Sequence, residues 1–210
     1  MGTSQCLRDD GGERGECVRV IAGEWKGLRL TAPAGKVARP TTDRVKESMF
    51  NLLGLDWPDG AVVDLFAGSG ALGLEALSRG AQHAFFIDAS HKSIRAVQDN
   101  VSRCRASARA SIWQMDWRAG WNRVLAEQTV VDWVFVDPPY ALDLWDDVLQ
   151  TLGTHPGMLT HGVVCEHPSD RELLDTYACL VKWKSRTYGD IRVTIYRREA
   201  DRPDGRAPSQ

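Results

Sequence analysis

The sequence predicts an α/β fold: a Rossmann-like, mainly parallel sheet of seven strands closed by an antiparallel edge hairpin, with a small N-terminal hairpin-and-helix extension. Three observations lead there. From Ala61 onward, short apolar runs alternate with helical patterns, the signature of a parallel sheet covered on both faces. The first four runs finish on or beside an acid, at Asp64, Asp88, Asp116 and Asp137. The first of them leads into Gly68-Ser69-Gly70, a turn that opens a helix.

The elements follow in order. Residues 1–17 are polar and Gly-rich and read as a disordered leader. Val18–Ile21 and Gly27–Leu30 form a hairpin around a Gly-containing turn, and Thr31–Pro40 is a Pro/Gly loop. Thr41 or Thr42 caps a helix with Val45, Met49, Leu52 and Leu53 on one face, ending near Gly54. Strands are expected at Val62–Phe66, Ala84–Ile87, Ser111–Met115, Trp133–Val136, Val163–Glu166, Val181–Arg186 and Ile191–Arg197. Helices are expected from the glycine turn through Leu77, and over His91–Cys104, Leu142–Leu152 and Asp170–Tyr177. The last two strands turn at Thr187-Tyr188-Gly189-Asp190. This divides the chain into residues 1–17, an 18–55 extension, a 56–198 catalytic domain and a disordered 199–210 tail.

Composition narrows the class. The chain has 210 residues, 43% hydrophobic and 26% charged, as in ordinary globular proteins. No apolar run approaches the ~20 residues that span a bilayer. Five scattered cysteines without a C-x-x-C pair argue against a zinc knuckle or a disulfide framework, so a reduced, cytoplasmic protein without a bound metal is expected. The net charge is −2, yet Val18–Phe50 carries seven Lys/Arg against three acids, and Val181–Arg198 six against one. A basic face on an acidic body and evenly scattered charge both fit this distribution.

The chemistry sits at the strand ends. Gly68, Gly70 and Gly73 match the dinucleotide fingerprint, with Asp88 near the position of a ribose-binding acid, so an NAD(P)-dependent oxidoreductase is one reading. Asp64, four residues before the first glycine, points elsewhere: a carboxylate there repels a pyrophosphate but pairs with an amino-acid ammonium. S-adenosylmethionine offers that ammonium and no phosphate. Asp116 is placed to accept from an adenine amine, or simply to cap a helix. Asp137-Pro138-Pro139-Tyr140 is stiff, since each proline fixes φ and lacks an N–H. Two fixed acceptors, Asp137 and the Pro138 carbonyl, beside the flat face of Tyr140 suit a planar ring bearing an –NH₂ group.

Asp64-x-Phe66-x-Gly68-x-Gly70, Asp88 and Asp137-Pro138-Pro139-Tyr140 stand in class I S-adenosylmethionine-dependent methyltransferase order. More narrowly, Arg39-Pro40-Thr41-Thr42-Asp43-Arg44-Val45-Lys46-Glu47, the segment Phe66–Ala81 and Tyr188-Gly189-Asp190 resemble the RsmD family of 16S rRNA guanine-N(2) methyltransferases, over about Val18–Arg198. The resemblance implies that Asp64, Phe66, Gly68, Ser69 and Gly70 hold the methionine part of the cofactor, Asp88 the ribose and Asp116 the adenine. It implies that Asp137, Pro138, Pro139 and Tyr140 hold the guanine amine. Arg19, Lys26, Arg29, Arg39, Arg44 and Lys46 are the expected RNA contacts. The expected substrate is 16S rRNA, within small-subunit particles, and the expected state a monomer. Within the class, an adenine amine of nucleic acid or a glutamine amide of protein are the other acceptors.

Overall fold

Side chains pointing alternately to the two faces of short Val/Phe-rich strands, buried on both sides, split the core in two, one layer on each face of a single sheet. A computed structural model of the chain describes residues 18–33, 43–54 and 60–201. Helix α1 covers Asp43–Leu53, followed by β1 (Ala61–Asp64), α2 (Ala71–Ser78), β2 (His83–Asp88), α3 (His91–Arg103) and β3 (Ala110–Gln114). Then come α4 (Trp117–Ala126), β4 (Val131–Val136), α5 (Trp145–Gly153), β5 (Leu159–Pro168), β6 (Thr176–Tyr177), β7 (Leu180–Tyr188) and β8 (Ile191–Arg198). The strand order is β3-β2-β1-β4-β5-β8-β7-β6, parallel from β3 to β5 and antiparallel from there on.

Along β4, Trp133 and Phe135 join one core layer and Val134 and Val136 the other, as the two-residue period of a strand requires. Helices α1, α2 and α3 cover the first layer; α4 and α5 cover the second, where Trp121 and Trp145 are fully buried. Both tryptophans are packing residues, and the Trp145 indole also donates to the Glu166 carbonyl at 2.8 Å.

The sheet has eight strands where seven are expected. The segment expected as a helix over Asp170–Tyr177 is instead irregular and ends in the two-residue β6. Its side chains find separate partners one by one: Arg171 to Asp143 and Asp146, Glu172 to Arg192, Asp175 to Lys182, and the hydroxyl of the buried Tyr177 to Asp146. Tertiary pairing overrides local helical pattern. Helix α4, not expected from the sequence, is capped by Asp116, whose Oδ1 accepts from the Arg118 and Ala119 amides at 2.9 and 3.1 Å.

The N-terminal extension is fastened to the sheet by α2. A single antiparallel bridge, Arg19 with Arg29, forms the expected hairpin in its shortest version. The hairpin's open main-chain donors at Ile21 and Ala22 are met by Glu75, at 2.8 and 3.0 Å. Ser78 donates to the Ala22 carbonyl, accepts from Trp25 N–H, and offers its own carbonyl to Glu24 N–H. The approach is so close that a Cβ on Gly23, at φ +83°, would lie 1.8 Å from the Ser78 oxygen.

Glu75 is fully buried and carries two cations as well, Arg79 at 2.8 Å and Lys46 at 3.3 Å. Lys46 is therefore corrected from an RNA contact to a structural residue. It is 3% exposed and its ammonium also donates to the Arg19 carbonyl. Burial lowers its pKa, and Glu75 opposes that shift.

Glu75→Gln leaves the Lys46 ammonium without a carboxylate, and it is expected to cost about 3–5 kcal/mol of unfolding free energy in a urea titration. Lys46→Met is expected to cost clearly less, because Glu75 keeps Arg79 and both amides. Equal costs would refute the central role of the carboxylate.

Candidate active site

Parallel strands put every C-terminal end on one edge, so the acids that finish them must assemble. Asp64 ends β1, Asp88 ends β2 and Asp137 follows β4, on three adjacent strands. Strand order reverses between β1 and β4: β2 and β3 build outward on one side, β5 on the other. Ligands of open α/β sheets lie at such a switch point. Asp116, beyond β3, lies on the same edge one strand further out.

Asp64 is 3% exposed, and its Oδ2 accepts from the Gly73 amide at 3.0 Å. Burial raises its pKa to about 7; the Gly73 bond opposes this, while Asp137 and Asp88 add to it. Burial and the neighbouring carboxylates thus favour a proton, or a cationic partner, on Asp64. Asp88 accepts from the Gly68 amide at 2.9 Å with one oxygen and from the Ser90 amide at 2.8 Å with the other. Each of its oxygens retains a further lone pair for a ligand hydroxyl.

Between these acids runs the glycine loop, residues 65–70. Gly68 and Gly70 have φ of +55° and +78°. A Cβ on Gly68 would meet nothing nearer than the Phe66 oxygen at 3.9 Å, so that face of the loop stands open to a ligand. Gly73 answers to a different constraint: a Cβ there would lie 2.4 Å from the Phe86 ring, so the third glycine lets α2 press onto β2. The loop's amides are largely committed, Gly68 to Asp88, Gly70 to the Ala67 carbonyl, and Gly73 to Asp64. Where a dinucleotide fold would offer these groups to a pyrophosphate, this one fills the place with a carboxylate. Ser69 and Phe66 are half-buried, and the Ser69 carbonyl is held from below by Asn100, which sequence reasoning did not single out.

After β4 the chain turns sharply. Pro138 is buried and Pro139 exposed, and the Pro139 carbonyl accepts from Leu142 N–H at 2.9 Å in the short 3₁₀ turn Tyr140–Leu142. Tyr140 is half-buried with its ring 5.6 Å from the Trp145 ring, near edge-on. Asp143, at φ +42°, and Asp146 both pair with Arg171, which straps this turn to the segment after β5.

On the extension, Lys26, Arg29 and Arg44 are exposed, and Arg19 is exposed but paired with Asp43 at 2.5 Å. Arg39 lies outside the described residues, as do Thr41 and Thr42. Much of the basic charge of β7 and β8 is engaged within the molecule: Lys182 with Asp175, Arg192 with Glu172, and Lys184 with the Leu52 carbonyl.

The comparisons with known proteins give the family. The family model described as conserved hypothetical protein 95 matches residues 18–197. YlbH of Bacillus subtilis (strain 168), which carries the name of an rRNA methyltransferase, is 38% identical over 86% of this chain and 99% of its own. Ribosomal RNA small subunit methyltransferase D of Escherichia coli (strain K12) is 32% identical over 87% of this chain and 91% of its own. The solved structure of the E. coli methyltransferase YhhF superposes with a TM-score of 0.73 at 32% identity, covering 88% of this chain and 99% of that one. The mainly parallel sheet with an antiparallel edge is thus the class I methyltransferase fold, and the chain belongs to the RsmD family, that of conserved hypothetical protein 95.

Proposed function

We propose that this protein transfers a methyl group from S-adenosylmethionine to the N2 amine of a guanine in 16S rRNA. The observation that carries the cofactor is Asp64 at the start of α2. A carboxylate that takes the Gly73 amide repels a pyrophosphate and attracts an ammonium. The residues present fit S-adenosylmethionine: an acid pair for its amino group and ribose, and an open glycine face for its chain. The same carboxylate disfavours the NAD(P) reading. The family's E. coli member, by its name, acts on small-subunit ribosomal RNA, which supports an RNA acceptor over a protein amide.

The cofactor supplies a methyl carried on a sulfonium. The chain's own residues do the rest by position. Asp137 and the Pro138 carbonyl accept the two N–H bonds of the guanine amine and turn its lone pair toward the methyl. Tyr140 packs against the base. Preorganised acceptors in a partly dry pocket stabilise charge as it develops on the amine without reorganising. The base leaves its stack to reach this edge. Lys26, Arg29, Arg44, Arg39 and Arg19 supply phosphate contacts from the extension. The protein works in the cytoplasm, as a monomer, on small-subunit particles; among the described residues no helix is long and apolar enough to cross a membrane.

Asp137→Ala is expected to lower labelled methyl transfer to unmodified small-subunit particles by ~10²–10³-fold while S-adenosylhomocysteine still binds. Equal loss of binding and transfer would remove Asp137 from the chemistry. Nucleoside digestion of the wild-type product is expected to give N(2)-methylguanosine; label in methyladenosine would move the acceptor.

Cofactor affinity is expected to depend on Asp64 with a defined sign. Its pKa of about 7 lies above that of an unfolded carboxylate, so the free protein holds a proton that the cofactor ammonium must displace. By calorimetry, S-adenosylhomocysteine affinity should rise by up to about tenfold per pH unit below 7 and level off above it. Asp64→Asn should bind weakly with no such slope. Stability runs the other way, falling as pH rises from about 4 to 7, because the folded state binds this proton more tightly.

A further inference from the structure

Asn100 lies on α3, outside the strand-end acids, and is fully buried. Its Oδ1 accepts from Thr31 N–H at 2.8 Å, and its Nδ2 donates to the Thr31 carbonyl at 2.9 Å and to the Ser69 carbonyl at 2.9 Å. The three bonds join three segments far apart in sequence. Toward Thr31, the amide behaves as a neighbouring strand would, meeting one residue's donor and acceptor together. Toward Ser69, it holds the glycine loop between Gly68 and Gly70. The flipped amide would set a donor against a donor and an oxygen against two carbonyls, so the pattern determines its orientation. Arg103, one turn further along α3, adds a bond to the Thr31 hydroxyl at 3.2 Å.

Thr31 directly follows the second hairpin segment and precedes, in sequence, the stretch carrying Arg39. Ser69 is in the loop that faces the cofactor. One buried side chain therefore spans the RNA-contacting arm and the cofactor loop. With every N–H of its buried amide used, moving either end costs bonds at the other.

Resting on the function proposed above, we infer that Asn100 is a positioning residue that couples RNA binding by the extension to cofactor binding by the glycine loop. RNA held by the extension fixes Thr31, Thr31 fixes the amide, and the amide fixes Ser69. The coupling is reciprocal, so cofactor tightens RNA by the same factor that RNA tightens cofactor.

The test measures S-adenosylhomocysteine affinity of the full chain by calorimetry, with and without saturating unmodified small-subunit particles. Wild type is expected to bind S-adenosylhomocysteine about fivefold or more tightly on the particles. Asn100→Asp keeps the acceptor for Thr31 N–H but loses both donations; it is expected to bind S-adenosylhomocysteine more weakly and to lose the enhancement. Thr31→Pro removes the N–H at the extension end, together with the hydroxyl that Arg103 meets, and leaves Asn100 and its bond to Ser69 in place. Its affinity without RNA should stay within about twofold of wild type, and its enhancement should vanish. Thermal unfolding establishes that each variant is folded. A residue that merely supported the fold would shift affinity and leave the enhancement intact. Enhancement persisting in both variants, or absent in wild type, would overturn the inference. Normal S-adenosylhomocysteine binding without any particle binding or methylation would instead overturn the proposed function.

Discussion

The buried carboxylate of Glu75 is the constraint on which the rest of the molecule turns. It satisfies two main-chain amides of the extension and two cations, one from α1 and one from its own helix. An unpaired acid at that depth would be prohibitive, so its partners must all be in place at once. Through it, α1, the hairpin and α2 become one body, and α2 is the helix that begins at the glycine loop. The arm proposed to meet RNA and the loop proposed to meet cofactor thus share a foundation, and Asn100 joins them a second time from α3.

A second economy lies at the strand ends. The glycine pattern that in other folds cradles phosphate is here occupied from within, by Asp64 at the helix start and Asp88 against Gly68. Similar glycines serve in both cases because the geometry they solve, a tight strand-to-helix turn pressed against β2, is indifferent to the ligand. The sign of the nearest side chain decides which ligand is accepted.

Much of this was legible in the sequence because local chemistry forces it. The acids at Asp64, Asp88 and Asp137 share one edge since parallel strands leave no alternative, and the positive φ of Gly68 and Gly70 follows from the turn. What was not legible depends on partners distant in sequence. Lys46 follows Val45 on an amphipathic helix and carries a charge, so it reads as solvent-facing; only Glu75, twenty-nine residues away, explains its inward turn. Asp170–Tyr177 has a helical composition, yet each polar residue finds its partner elsewhere. Helix α4 carried a visible signal, Asp116 as a cap, which competed with its reading as a ligand. Asn100 carried none, since an asparagine within a helix announces nothing about the two loops it joins.

The docking of the arm also has a temporal consequence. Ile21 meets Glu75 across 54 residues, Thr31 meets Asn100 across 69, and Glu24 meets Arg109 across 85. The basic arm leaves the ribosome before these partners, and these three anchors are made only after α2, α3 and the turn before β3 have followed. Such long closures come late and slowly. During synthesis only α1, through Asp43 and Lys46, is there to meet the arm until the cofactor half of the sheet exists, and the arm's final shape certifies that this half has folded.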